Sequence, residues 1–290
     1  LLLDRLDPTR MARFEREGQV TAALDHPGVV RIHASGALAG RPYLAYELVP
    51  GGETFADAMP RLDRSTRLRL LRDAADAVGH AHSRGIVHRD LKPSNLLVDR
   101  SSGDVPRVRV ADFGMARLTS DTQERLTRTG AIVGTPQYMA PEQAVGERQV
   151  GAAADVWALG VMLYEALLEA LPFDGESLQV LLARICAMDP RRPRELDPTL
   201  APDLEAIVLR ALERDPAARY PDAGALAADL DLFLRGEPVN ARRGGARRWV
   251  ARRRGLLLAA GALALSAGVV AGAMLATTPP PPVEAASATP

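Results

Sequence analysis

Lysine is almost missing from this chain. Of its 36 Lys and Arg residues, one is Lys, at position 92, and every other is Arg. Position 92 therefore carries a compact, mobile point charge where a planar guanidinium fork serves everywhere else, and the two are not interchangeable. Cysteine is as scarce. Cys186 stands alone, which excludes an intrachain disulfide and suits a reducing compartment. In Leu181-Leu182-Ala183-Arg184-Ile185-Cys186 it reads as a small apolar residue of a helix. No Gly-x-Gly-x-x-Gly lies near the start, and no Lys precedes position 92. At the other end, residues 256–276 contain no charge at all.

What is present describes a globular protein. The 290 residues are 47% hydrophobic and 25% charged, enough for one large domain or two small ones with appendages. The net charge of zero hides an asymmetry. Residues 240–255 carry seven Arg and no acid, leaving 29 basic against 35 acidic residues over 1–239, a net of −6. A mildly acidic globule is joined to a basic collar.

The chain is organised around His88-Arg89-Asp90-Leu91-Lys92-Pro93-Ser94-Asn95, with Asp112-Phe113-Gly114 one hairpin further on. Phosphoryl transfer asks a protein for placed charge more than for covalent chemistry. Asp90 can take the proton of an acceptor hydroxyl. Asn95 and Asp112 supply hard oxygens of the kind magnesium binds. Lys92, two residues beyond Asp90, can reach a transferring phosphate.

These residues resemble the catalytic loop and metal-binding turn of eukaryotic-like protein kinases. Ala140-Pro141-Glu142 and Asp155-Val156-Trp157-Ala158-Leu159-Gly160 follow in the family's order, and the resemblance covers about residues 1–238. It implies an α+β, bilobal fold: a partial β-rich N-lobe over 1–49 and a helical C-lobe over 50–238. It implies ATP and Mg²⁺ as cofactors, with Asp90, Lys92 and Asn95 catalytic and Asn95 and Asp112 on the metal. Counting back from His26-Pro27, the family's helical Glu falls at Glu17. The adenine would bind backbone groups of Glu47 and Val49, with Tyr46 guarding the back of the pocket. Arg89 is the usual partner of a phosphate on the loop between Gly114 and Ala140. Thr127 and Thr129 there resemble the autophosphorylated pair of membrane-bound bacterial Ser/Thr kinases. Thr135 matches the threonine that contacts the catalytic Asp and Lys, and with Lys92 it argues for Ser/Thr acceptors. Asp155 would hold the catalytic loop's backbone, and Glu142 would pair with Arg219.

The chain departs from the family at its start. The glycine-rich loop and the Lys of the nucleotide-gripping strand have no counterpart. Either the sequence is a fragment beginning after that strand or the protein lacks it; the reading adopted is a fragment, with the Lys expected shortly before Leu1.

Periodicity places helices over 11–24, 65–84, 152–169, 178–188, 204–212 and 223–234, and strands over 29–33, 43–49, 96–98 and 108–110. Ser65 or Thr66 is the expected cap of the second helix. His80 and His82, two apart on that helix, face different ways and read as structural.

After the basic segment 239–255 come 21 uncharged residues, 256–276, long enough to cross a bilayer core. Arginines on their N-terminal side place that side, and the kinase, in the cytoplasm. The expected localisation is the cell (inner) membrane of a bacterium, with a single pass and a Pro-rich extracytoplasmic linker over 277–290. The arginines adjoin this span, so nucleic acid is not an expected partner. Gly268 and Gly272 could pair two spans as a homodimer. The resulting expectation is a phosphoprotein transferase for Ser/Thr hydroxyls of proteins in transmembrane signalling. The alternative is a membrane-tethered pseudokinase acting as a binding scaffold.

Overall fold

In the computed structural model, residues 14, 18, 21–39, 41–101, 103, 105–113, 136–147 and 149–242 are described. The chain divides into two units, Leu1–Arg243 and Gly244–Pro290, and the second lies outside the described residues. So does the stretch 256–276. Among the described residues no helix is long and apolar enough to cross a membrane.

The strand-rich part is small. Strand β1 (Ile32–Leu38) pairs antiparallel with β2 (Arg41–Tyr46), from Ile32 opposite Tyr46 to Leu38 opposite Arg41. Phe14 and Leu24, both buried, belong to the segment preceding this pair. Val29 and Val30, expected to open the strand, are committed elsewhere. The Val30 amide donates to the Val110 carbonyl (2.9 Å) and the Val110 amide to the Gly28 carbonyl (2.8 Å). The antiparallel strand therefore begins at Ile32, and its partner ends at Tyr46 and not at Val49.

A second sheet, in the order β3-β4-β5, opens the helical part: β3 (Glu53–Thr54), β4 (Leu96–Asp99) and β5 (Arg107–Val110), all antiparallel neighbours. Helix α1 (Phe55–Ala58) follows β3, and α2 (Arg64–His82) follows α1. The cap of α2 is Asp63, whose carboxylate accepts from the Thr66 amide at 3.0 Å and from the Ser65 and Thr66 hydroxyls at 2.6 Å each. Those hydroxyl donors hold the Asp63 carboxyl well below the usual range. A carboxylate outcompetes a hydroxyl for this place because it accepts several bonds at once, and the two hydroxyls become its donors.

Beyond β5 come α3 (Pro141–Ala144), α4 (Ala152–Leu168), α5 (Leu178–Ala187), α6 (Pro193–Leu196), α7 (Pro202–Ala211) and α8 (Ala223–Leu234). Helix α4 is apolar but for Asp155 and Glu165 and accordingly sits at the centre of the core, with Trp157, Leu159, Met162, Leu163 and Tyr164 buried. Helices α2 and α8 pack against each other and both reach α4. The α2–α8 approach is set by Gly79: a Cβ there would stand 2.5 Å from the Gly224 amide nitrogen and 2.6 Å from its Cα. In an exposed helix Gly→Ala stabilises by about 1 kcal/mol. Here the neighbour is backbone and cannot turn away, so Gly79→Ala is expected to lower stability by about 1–3 kcal/mol, as overpacked cores do. Urea unfolding of the two proteins measures this, and an unchanged midpoint would show that the helices can part at no cost.

The end of the first unit is pinned. Asp229, fully buried on α8, accepts from the Tyr220 hydroxyl (2.8 Å) and from the backbone amides of Asn240 (2.6 Å) and Ala241 (2.8 Å). Val239 and Ala241 are buried in the core, and the Arg242 guanidinium reaches Asp203 at 2.9 Å.

Candidate active site

The loop from His88 to Asn95 lies between α2 and β4, and a buried carboxylate on α4 sets its shape. Asp155 accepts the His88 amide on one oxygen and the Arg89 amide on the other, each at 2.7 Å. His82 adds a third bond. Its Nδ1 accepts the Ala223 amide at 3.1 Å, so the proton sits on Nε2, which donates to Asp155 at 2.8 Å. Arg89 takes φ = 66°, in the left-handed region that costs a non-glycine residue about 1–3 kcal/mol. Its backbone is clamped from both directions, because its carbonyl also accepts from Gln143 Nε2 at 2.8 Å.

The loop is then tied to the turn after β5. His88 Nδ1 faces the Asp90 amide at 3.3 Å, which leaves Nε2 to donate to the Ala111 carbonyl at 2.8 Å. The His88 and Phe113 rings lie 4.8 Å apart. The Ala111 amide donates to the Asn95 carbonyl at 2.9 Å, bringing Asn95 beside Asp112. Asn95 Nδ2 donates to the Asp90 carbonyl at 2.8 Å, which fixes the amide so that its oxygen points away from that bond. The Asp90 carboxylate is half exposed, and Lys92 Nζ lies 2.7 Å from its Oδ2. Asp90, Lys92, Asn95 and Asp112 are thus gathered on two adjoining turns.

Tyr46 ends β2 with its hydroxyl buried and without a hydrogen-bond partner. Burial, and then the Asp112 carboxylate, push that phenol well above its ordinary range. Glu47 turns the other way. Its carboxylate takes Arg109 Nη1 at 2.8 Å and its amide donates to the Arg31 carbonyl at 2.8 Å. Val49 is buried, and its carbonyl accepts the Gly52 amide at 3.1 Å. Glu17, Thr127, Thr129 and Thr135 lie outside the described residues.

Below the loop, Glu142 and Arg219 form a buried pair with two bonds of 2.8 Å. Arg219 also donates to the carbonyls of Ala153 (2.7 Å) and Glu213 (2.7 Å) and lies over the Trp157 ring. Gln143 and His82 are the residues sequence reasoning missed. His82 shows no signal of its own, since its partners stand 73 and 141 positions away.

His80 differs from His82. Burial, followed by Arg84 and His26, holds it below its ordinary value, against the opposing pull of Asp76 and Asp25. The neutral form is therefore favoured in the fold. Its contribution to stability is complete above the unfolded imidazole value, about 6.5, and is lost as pH falls below that. Between pH 7.5 and pH 5.5 the wild type is expected to lose more stability to urea than His80→Gln does. Equal losses would remove His80 from the account.

An α+β fold that gathers an Asp-Lys pair, an Asn and a second Asp on adjoining turns has the form of a phosphotransferase. The chain belongs to the protein kinase family: residues 3–229 match its domain model, described as "Protein kinase domain". It is similar to the probable serine/threonine-protein kinase SCO3848 of Streptomyces coelicolor, 38% identical over 242 residues, covering 81% of this chain and 35% of that protein. It is also similar to the serine/threonine-protein kinase PknB of Mycobacterium tuberculosis, 38% identical over 81% of this chain and 38% of the relative. The serine/threonine-protein kinase Pkn1 of Myxococcus xanthus is 39% identical over 78% of this chain and 32% of its own length. The chain spans about a third of the length of the curated relatives it matches. Among solved structures, a mutant of the PknI kinase domain of Mycobacterium tuberculosis aligns with a TM-score of 0.58 at 27% identity, over 78% of this chain and 79% of that one.

Proposed function

We propose that this chain is the catalytic part of a bacterial serine/threonine protein kinase that moves the γ-phosphoryl group of ATP to Ser or Thr hydroxyls of proteins. The observation that carries it is Asp90: a half-exposed carboxylate with an ammonium at 2.7 Å, on a loop whose backbone Asp155 fixes through two 2.7 Å bonds. Asp90 accepts the proton of the attacking hydroxyl as it bonds to phosphorus. Lys92 offsets charge on the transferring oxygens.

The residues fit a divalent cation. Asn95 spends its nitrogen on the Asp90 carbonyl, leaving its oxygen, and Asp112 adds a carboxylate; both are hard donors. Among the described residues no three His, Cys, Asp or Glu side chains converge as a cation site. Asn95 and Asp112 would therefore hold Mg²⁺ together with phosphate oxygens and water, and the ion would neutralise charge on the β- and γ-phosphates. Glu47 and Val49 offer backbone to the adenine, and Glu17 is the helical acid of the phosphate grip.

The wider reading rests on sequence. Residues 256–276 are a single membrane span, the basic collar 239–255 holds the kinase on the cytoplasmic side, and 277–290 lead out of the membrane. Gly268 and Gly272 support a homodimer. Phosphate on Thr127 and Thr129 would order its loop through Arg89. The binding-scaffold alternative has no structural observation in its favour. Transfer of radiolabel from γ-³²P-ATP by the full-length protein, with phosphoamino-acid analysis, tests the proposal. Label on Ser and Thr is expected, and its absence in the presence of Mg²⁺ would overturn it.

A further inference from the structure

The peptide that joins Arg89 to Asp90 is held by groups other than Asp155. Asp155 takes the amides of His88 and Arg89, which belong to the two peptides before it. A peptide unit is planar, so the Arg89 carbonyl and the Asp90 amide turn together. The carbonyl accepts from Gln143 Nε2 at 2.8 Å, and the amide donates to His88 Nδ1 at 3.3 Å. The Gln143 bond is the shorter of the two, and it comes from outside the loop. The tilt of this plane sets the direction in which the Asp90 side chain leaves the backbone.

Gln143 is itself fixed. It stands on α3, where the neighbouring Glu142 is tied to the buried Arg219 by two bonds of 2.8 Å. Just ahead of α3, the Tyr138 hydroxyl donates to Glu165 of α4 at 2.7 Å. Successive residues on a helical turn point about 100° apart, so Glu142 turned to Arg219 leaves Gln143 turned to the loop. The Gln143 amide has one orientation, because Oε1 accepts the Ala140 amide at 3.0 Å while Nε2 meets the Arg89 carbonyl. An amide side chain accepts and donates at once. A carboxylate in its place would keep the first bond and set its other oxygen against the Arg89 carbonyl.

The geometry points to Gln143 as a positioning residue for phosphoryl transfer: its side-chain amide locks the peptide before Asp90 and so holds that carboxylate where the attacking hydroxyl gives up its proton. This rests on the reading of Asp90 given under Proposed function.

The test uses the full-length protein, γ-³²P-ATP and casein as acceptor. Gln143→Glu removes the donor and keeps the acceptor at nearly the same volume. Its kcat is expected to fall about ten- to hundredfold, as a small misplacement of a reacting group gives, with the ATP KM within about twofold of wild type. Gln143→Met, which removes both bonds, is expected to lose at least as much. The change is then repeated in Asp90→Asn. A residue that acts through Asp90 has nothing further to lose there, so the double variant is expected to match Asp90→Asn within about twofold. A Gln143→Glu kcat within about twofold of wild type, or an equal factor lost in both backgrounds, would overturn the proposal. A readout without turnover decides the contact separately. The Asp90 amide is expected to exchange hydrogen about five- to tenfold faster in Gln143→Glu, as loss of one neutral hydrogen bond gives. An unchanged rate refutes the contact. If the wild type transfers no label, the reading of Asp90 fails first, and the exchange comparison still decides whether Gln143 holds the peptide.

Discussion

Asp155→Ala is expected to lower stability by about 3–5 kcal/mol and the melting temperature by about 10 °C. The carboxylate is 1% exposed and receives three donors: the His88 and Arg89 amides and His82 Nε2. Removing it leaves three buried N–H groups without acceptors, and each orphan costs about 1–3 kcal/mol before relaxation. Relaxation is limited, because Arg89 sits at a φ of 66° that these bonds help to maintain. Once freed, residues 88–90 should return to ordinary backbone and carry Asp90 away from Lys92. Activity is expected to fall with stability. Asp155→Asn separates the two effects. It keeps the volume and one acceptor but presents an N–H₂ group to a remaining donor, so its melting temperature should lie between the other two. Calorimetric scans of the three proteins decide; a fall of less than about 2 °C for Asp155→Ala would mean that the loop keeps its shape without this anchor.

The second large effect is on rate. Asp90→Asn is expected to reduce kcat by about two to four orders of magnitude, the usual range for loss of a positioned proton acceptor. The amide has nearly the carboxylate's shape and its oxygen can still accept from Lys92, so the fold and the ATP KM should hold. What it cannot do is take a proton. Half exposed, Asp90 supports little of the core, and the melting temperature is expected to stay within about 2 °C. A purified Asp90→Asn protein with kcat within tenfold of wild type would remove Asp90 from the proposed chemistry.

The gathering of Asp90, Lys92 and Asn95 was legible because the residues are contiguous. His88 to Asn95 need only one short turn to converge, and the brief β4–β5 hairpin adds Asp112. Helix α4 was equally clear, since a run so nearly all apolar has no place but the centre. The Glu142–Arg219 pair was reached through the family resemblance and lies where that resemblance put it. Pairings that depend on distant partners were not legible. The separation of His80 and His82 ruled out a shared ligand but gave no hint that His82 reaches Asp155 and Ala223. Glu47 read as a hinge residue, and nothing near it foretells Arg109, 62 positions on. The strand limits slipped for a physical reason. β1 is mostly small or polar, with weak alternation, so the more hydrophobic Val29 and Val30 drew the boundary toward themselves while they were pairing with Val110. At α2 the Ser65 or Thr66 hydroxyl was expected to cap the helix, and Asp63, one residue before it, does so instead.

The grip of Asp229 on Asn240 and Ala241 bears on where this protein can be cut. The sequence invites a boundary after Pro238, where Gly236-Glu237-Pro238 looks like an ending. A protein trimmed there would lose two lining residues, Val239 and Ala241, and of the three donors to the buried Asp229 carboxyl described above it would keep the Tyr220 hydroxyl. The shortest recombinant version that keeps its floor intact therefore runs through Ala241, at the edge of the arginine-rich stretch that a designer would be tempted to discard.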